Sequence, residues 1–253
     1  MSDNGATMLS SNRIANWLAL VTALADGAVW LGPARAEGPS FDCRKASLPV
    51  EKAICADPQL SAIDALVAKA FVGFEPAFGG DKRKIARALI ADRNACGQDA
   101  ACIVSAQNNA LQTYGNAPSW VQDYNIALIG KKALDTAERH PKSPDQPLPS
   151  SIGQCAFTHI SELATRLGDD PLETASPEAG SRAGFTNDGV AVSYDREPGL
   201  ASSRVGDPVV MCLISIPRDC PQDDDRGRVY YGVDLTLKGT WALPDSQHMC
   251  GGA

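Results

Sequence analysis

Eight cysteines, Cys43, Cys55, Cys96, Cys102, Cys155, Cys212, Cys220 and Cys250, punctuate the chain, and no other feature restricts its folding as much. An even set of thiols reads as a disulfide framework in an oxidising compartment, and as metal ligands or nucleophiles in a reducing one. The compartment is therefore the first question. Residues 14–31, IANWLALVTALADGAVWL, form an apolar run interrupted by Asp26, with Arg13 before it and Ala34, Arg35 and Ala36 after it. A basic start, an apolar middle and small residues at −3 and −1 make a secretory signal over 1–36, cleaved after Ala36. Its cleanly apolar part, 17–25, is far shorter than the roughly 20 residues of a membrane-spanning helix, so no membrane partner is expected after cleavage. The expected location is periplasmic or secreted, and all eight cysteines follow the cleavage site. Four disulfides are then the expectation. Zinc fits poorly, because there is no C-x-x-C pair and His140, His159 and His248 show no ligand spacing. A nucleophilic thiol needs a nearby base, and no histidine precedes His140.

Charge divides the chain as sharply as composition does. Residues 37–150 hold 13 basic and 13 acidic side chains, whereas 151–253 hold 8 and 15, so the formal net charge of −7 lies entirely in the second part. Such a surface repels phosphates and excludes nucleic acid as a partner, while a cationic protein would be attracted to it.

Between the parts lies HPKSPDQPLPSS, residues 140–151, with four prolines and no apolar periodicity. It reads as an extended linker. The expected fold is α+β: a disulfide-tied helical bundle over 37–139, then a small, mainly-β domain over 152–253. In the first part Asp57 and Pro58 open a helix in which Leu60, Ile63, Val67, Ala70, Phe71 and Phe74 recur at three- and four-residue steps. Gly79-Gly80 ends it, Asp81 caps a second helix closed by Gly97, a third spans 99–114 with Ile103, Ala106, Ala110 and Leu111 along one side, and a fourth covers 120–138. In the second part GVAVSY (189–194), PVVMCLISI (208–216), RVYYGVDLTL (228–237) and TWAL (240–243) are β-branched and aromatic, as strands are, with a tight hairpin at Lys238-Gly239. The segment 155–167, CAFTHISELATRL, fits helix and strand equally.

Several of these residues together resemble a known family. SFDCRKASLPVEKAICADPQLSAIDALVAKAF followed by ARALIADRNACGQDAACI is similar to the N-terminal domain of LprI-type lysozyme inhibitors, exported bacterial proteins. The resemblance covers roughly 40–111 and rests on Phe41-Asp42-Cys43, Val50 to Cys55, Leu60, Ile63-Asp64, Arg87, Arg93, Cys96-Gly97 and Cys102. It departs at Leu89, where the family usually carries tryptophan, and at Gln107 and Ala110, where an aromatic and an arginine are common. What it implies is a periplasmic helical domain that binds and inhibits lysozyme, a cationic partner; the chain's own residues lead to the expectation of no catalytic residue, no cofactor and no metal.

Other constellations read as structure. Cys43/Cys55 and Cys96/Cys102 are the favoured pairings; of the three connectivities open to the later four cysteines, Cys155/Cys212 with Cys220/Cys250 is preferred. Asp64 and Arg93 are placed to form a partly buried ion pair that sets the register of two antiparallel helices. Asp219, Asp223, Asp224 and Asp225 in RDCPQDDDRGR lack the calcium-loop spacing and sit among arginines; if this acidic loop has a partner, a basic protein surface suits it better than a metal. No G-x-S-x-G surrounds any serine, and no paired acid and base suggests hydrolysis, so an enzyme is not expected.

Overall fold

The helices begin where side chains satisfy the first free backbone N–H groups. The structure, a computed structural model, describes residues 38–139, 143–168 and 170–252; the signal read at 1–36 and the first three residues of the proposed linker lie outside them. Glu51 reaches back from α1 (Pro49–Ala56) to accept from Ser47 N and Leu48 N. Asp57 accepts from Gln59 N and Leu60 N, with Pro58 at the first position of α2 (Pro58–Gly73). Asp81 caps α3 (Lys82–Ala95) and Asp99 caps α4 (Ala100–Thr113) in the same way. The long α5 (Ser119–Arg139) completes the helical part.

Six antiparallel strands follow, β1 (Cys155–Ala164), β2 (Ser181–Phe185), β3 (Val190–Ser193), β4 (Pro208–Ser215), β5 (Val229–Asp234) and β6 (Thr240–Pro244), with the short helix α6 (Pro198–Ala201) between β3 and β4. Their order in the sheet is β3-β2-β1-β4-β5-β6. The sheet curls into a half-barrel until its edge strands β3 and β6 touch, and inside it Phe185 of β2 and Trp241 of β6 stack with centroids 6.1 Å apart. Met211, Leu213, Tyr230 and Leu200 fill the concave side. Trp241 lies flat over its cross-strand partner Gly232, where any Cβ would collide with the indole. Of the segment 155–167, open in sequence, residues 155–164 are the strand β1, which pairs with both β2 and β4. At the end of β5, Asp234 accepts from Thr236 N and Leu237 N, so the β5–β6 turn runs through five residues and ends at Lys238, φ 63°, and Gly239.

The helical and β parts share their core. Val210, Cys212 and Ile214 on the convex side of β4, with Phe157, Tyr231 and Val233, pack against Ala101, Ile129 and Ala133 of α4 and α5. A sheet with an apolar convex face cannot leave it in water, and the described residues accordingly form one compact unit across the proposed boundary at 140–151. The part of the proline-rich segment that is described lies along the sheet: Gln146 exchanges hydrogen bonds with the Phe157 backbone, and Tyr230 donates its hydroxyl to Pro149 O at 3.2 Å. Gly153 seals the junction. At φ +78° it lies so close to Cys102 that a Cβ would overlap it, and Lys132 bridges the Gly153 carbonyl to Asp99.

Helix α4 is the axis of this unit. Its apolar side was expected to be one stripe, but every residue from Ala101 to Leu111 is buried, since α2 and α3, α5 and β4 cover it on all sides. Polar residues on such a helix need partners, and two have them: Ser105 donates to Asn125 Oδ1 at 2.6 Å, and Asn109 accepts from Ser215 Oγ at 2.6 Å and donates to Ile216 O at 3.0 Å.

The cysteines join as Cys43–Cys55, Cys96–Cys102, Cys155–Cys212 and Cys220–Cys250. Loop-closure entropy gives about 2 to 3 kcal/mol for the two short loops and about 4 kcal/mol for Cys155–Cys212, which closes 57 residues. Accessibility separates them too, because Cys43 is exposed whereas Cys212 is fully buried. Under native conditions, graded dithiothreitol followed by alkylation and mass mapping should open Cys43–Cys55 first, and Cys155–Cys212 only together with global unfolding.

Candidate functional site

Asp64 sits near the middle of α2 and is 3% exposed. Its carboxylate accepts from Arg93 Nη1 at 3.0 Å, from Ser40 N at 2.9 Å and from Ser40 Oγ at 2.6 Å. One buried charge therefore ties the start of the described chain, α2 and α3 together. Arg93 completes its own bonding through Nε and Nη2 to Asn94 Oδ1. With every strong acceptor of Asp64 engaged, the pair is a structural clamp.

The acidic loop is largely neutralised from within. Asp219 accepts from Ala77 N at 2.7 Å, which docks the loop on the helical part, and neighbouring Arg218 holds Asp92 of α3. Asp224 is held by Nε and Nη2 of Arg226 and by Gly251 N; the Arg226 guanidinium keeps this carboxyl well below the usual range. Asp225 pairs with Arg228 at 3.0 Å. Asp223, exposed at φ 64°, is the carboxylate of the four that has no partner among the described residues. His159 Nδ1 lies 2.6 Å from Asp145, and His248 Nδ1 3.2 Å from the Tyr194 hydroxyl. Among the described residues no three His, Cys, Asp or Glu side chains converge as a metal site would require.

The feature with the chemistry of a binding site lies in the helical part. A cleft of about 420 Å³ opens between α2 and α3, a volume within the range of small-molecule sites. Val67 and Phe71 form one wall, Ala86 and Ile90 the other. Tyr114, just past α4, lies at the base and packs on Phe71 and Phe74 with centroids 5.7 and 4.8 Å apart. Burial pushes the Tyr114 phenol up, so it is a neutral hydrogen-bond donor at ordinary pH. Arg83 and Arg87 stand exposed at the rim, with no ion pair to a carboxylate among the described residues.

Below the cleft a hollow of about 30 Å³ shares Asp64, Val67, Ile90, Arg93 and Tyr114 with it and continues to Leu89, Ala106 and Gln107. Gln107 is 2% exposed, and neither its Nε2 nor its Oε1 has a hydrogen-bond partner in the protein. A buried amide with nothing to bond costs about 1 to 3 kcal/mol per group, so its position at this surface needs a reason. The cleft itself left little trace in sequence: its walls come from two helices separated in the chain, with Tyr114 from beyond a third, and the one visible signal is the basic run Lys82-Arg83-Lys84 with Arg87 on α3.

No family model matches the chain, and no curated protein and no solved structure is similar enough to count as a relative. The structure by itself defines an α+β protein tied by four disulfides, with a half-barrel packed on a helical bundle.

Arg93→Met should cost about 3 kcal/mol in urea unfolding, because it leaves a buried carboxylate with only the Ser40 donors. The double variant Arg93→Met/Asp64→Asn should recover part of that loss, which would measure the coupling directly.

Proposed function

We propose that this is an exported protein, periplasmic or secreted, that acts by binding, and that its target is lysozyme. What supports the reading is the way the resembling residues work together. Cys43 and Cys55, Cys96 and Cys102, and Asp64 and Arg93 form two disulfides and one buried ion pair in a single helical module. The positions that carry the resemblance are therefore those that hold the module in shape. Four disulfides also suit a chain that matures outside a reducing compartment.

Electrostatics agree with a cationic target. The excess of −7 lies in the β part, and since Asp224 and Asp225 are locally paired, attraction would come from the acidic surface as a whole rather than from one loop. Attraction of this kind raises the association rate and fades as salt screens it.

A turbidity assay of cell-wall lysis tests this. Purified, oxidised protein in excess should inhibit lysis by c-type lysozyme at low ionic strength, with a several-fold loss of potency as sodium chloride is raised to about 0.3 M, where the Debye length falls to roughly 6 Å. Absence of inhibition of c-, g- and i-type lysozymes alike would leave a module that binds another envelope component, such as a cell-wall fragment.

A further inference from the structure

We propose that the α2–α3 cleft is a binding site for a small amphipathic anion. Its ligand has an apolar body, a carboxylate or phosphate at one end and a hydrogen-bonding group at the other. Three properties of the cleft define this chemistry in order from mouth to base. At the mouth, Arg83 and Arg87 present guanidinium groups that are exposed and bound to no carboxylate among the described residues. Arginine at such a place recognises planar or tetrahedral oxyanions through two parallel N–H donors. In a protein of net charge −7, the basic residues of α3 are a local exception: Lys82 is paired with Glu75 and Asp81 lies near, but no carboxylate among the described residues forms an ion pair with Arg83 or Arg87.

Along the middle, Val67, Phe71, Ala86 and Ile90 offer an apolar channel, with Ile90 48% exposed to solvent. An apolar residue half in water on the wall of a cleft gains by contact with a ligand chain. At the base, Gln107 offers an amide NH2 group and a carbonyl oxygen that nothing in the protein uses, and Tyr114 lines the same hollow. A hollow of about 30 Å³ is large enough for a hydroxyl or the end of an amide and too small for a ring. The buried amide thus selects ligands with a polar group at the inner end, and an unadorned chain would leave it unpaired.

The site does not involve lysozyme, and the two readings fail separately. Isothermal titration of the oxidised protein with 8-hydroxyoctanoate, octanoate, 1,8-octanediol and inorganic phosphate separates the three contributions. 8-Hydroxyoctanoate should bind saturably at one site and tightest of the four. Octanoate, without the inner hydroxyl, and octanediol, without the charge, should each bind at least five-fold more weakly, and inorganic phosphate should not bind. Arg83→Gln/Arg87→Gln, at exposed positions, should bring 8-hydroxyoctanoate down to the affinity of the diol. Gln107→Leu should abolish the preference for 8-hydroxyoctanoate over octanoate and raise the melting temperature of the ligand-free protein. Ile90→Trp, also at a partly exposed position, should block all binding while the fold is retained. The proposal is overturned if no ligand binds saturably, if inorganic phosphate binds as well as the amphiphiles, or if Ile90→Trp leaves affinity unchanged.

Discussion

Successive residues of β4 point to opposite sides of the sheet, and both sides are apolar. Val209, Met211 and Leu213 enter the half-barrel, while Val210, Cys212 and Ile214 face α4 and α5. Burying Phe157, Val210, Ile214, Tyr231 and Val233 on the convex side is worth about 1.5 to 3 kcal/mol for each side chain, on the order of 10 kcal/mol together. That matches the whole net stability of an ordinary domain. Without the helices over it, the sheet would have no margin. The helices depend on the sheet in turn, because α4 is buried on every side and β4 supplies one of its walls.

Polar contacts then fix where the two parts meet. Asn109 reaches from α4 to Ser215 and Ile216 at the end of β4, Arg218 holds Asp92 of α3, and Asp219 accepts from Ala77. Each of these bonds joins residues far apart in sequence. The disulfides act differently, since none crosses from the helical part to the β part and each strengthens one part internally. Covalent ties stabilise the parts, and hydrogen bonds with apolar packing join them.

Local features of the chain were legible where local physics decides them. Asp57-Pro58, Asp81 and Gly97 punctuate the helices because capping is a matter of a few neighbouring residues. The cysteine pairs Cys43–Cys55 and Cys96–Cys102 are favoured because they are local in sequence, and the Asp64–Arg93 pair because antiparallel packing of two neighbouring helices would bring those residues together. β2 escaped notice because SRAGF has a glycine and a charged residue and becomes a strand only through its pairing with β1 and β3. The continuous apolar run PVVMCLISI suggested a strand of a separate β domain, whereas such a run marks a strand covered on both faces, and here α4 and α5 cover the second face. Proline content suggested an extended linker at 140–151, but extended backbone can equally lie along a sheet, as the described part of this segment does through Gln146 and Pro149. The cleft depends on how α2, α3 and α4 pack, and in sequence nothing set Gln107 apart from its polar neighbours Ser105, Asn108 and Asn109.

The cleft is built on three helices whose relative positions are held by Asp64, Arg93 and the Cys96–Cys102 bridge, so its walls are preorganised. Everything proposed for it assumes that the helical and β parts behave as one cooperative body. Hydrogen exchange measured against urea tests that most directly. Amides in α4 from Val104 to Asn109 and in β4 from Val210 to Leu213 should exchange through one shared opening, with the same free energy and the same urea dependence. Distinct opening energies, with β4 persisting after α4 has opened, would mean two independent domains and would contradict the account.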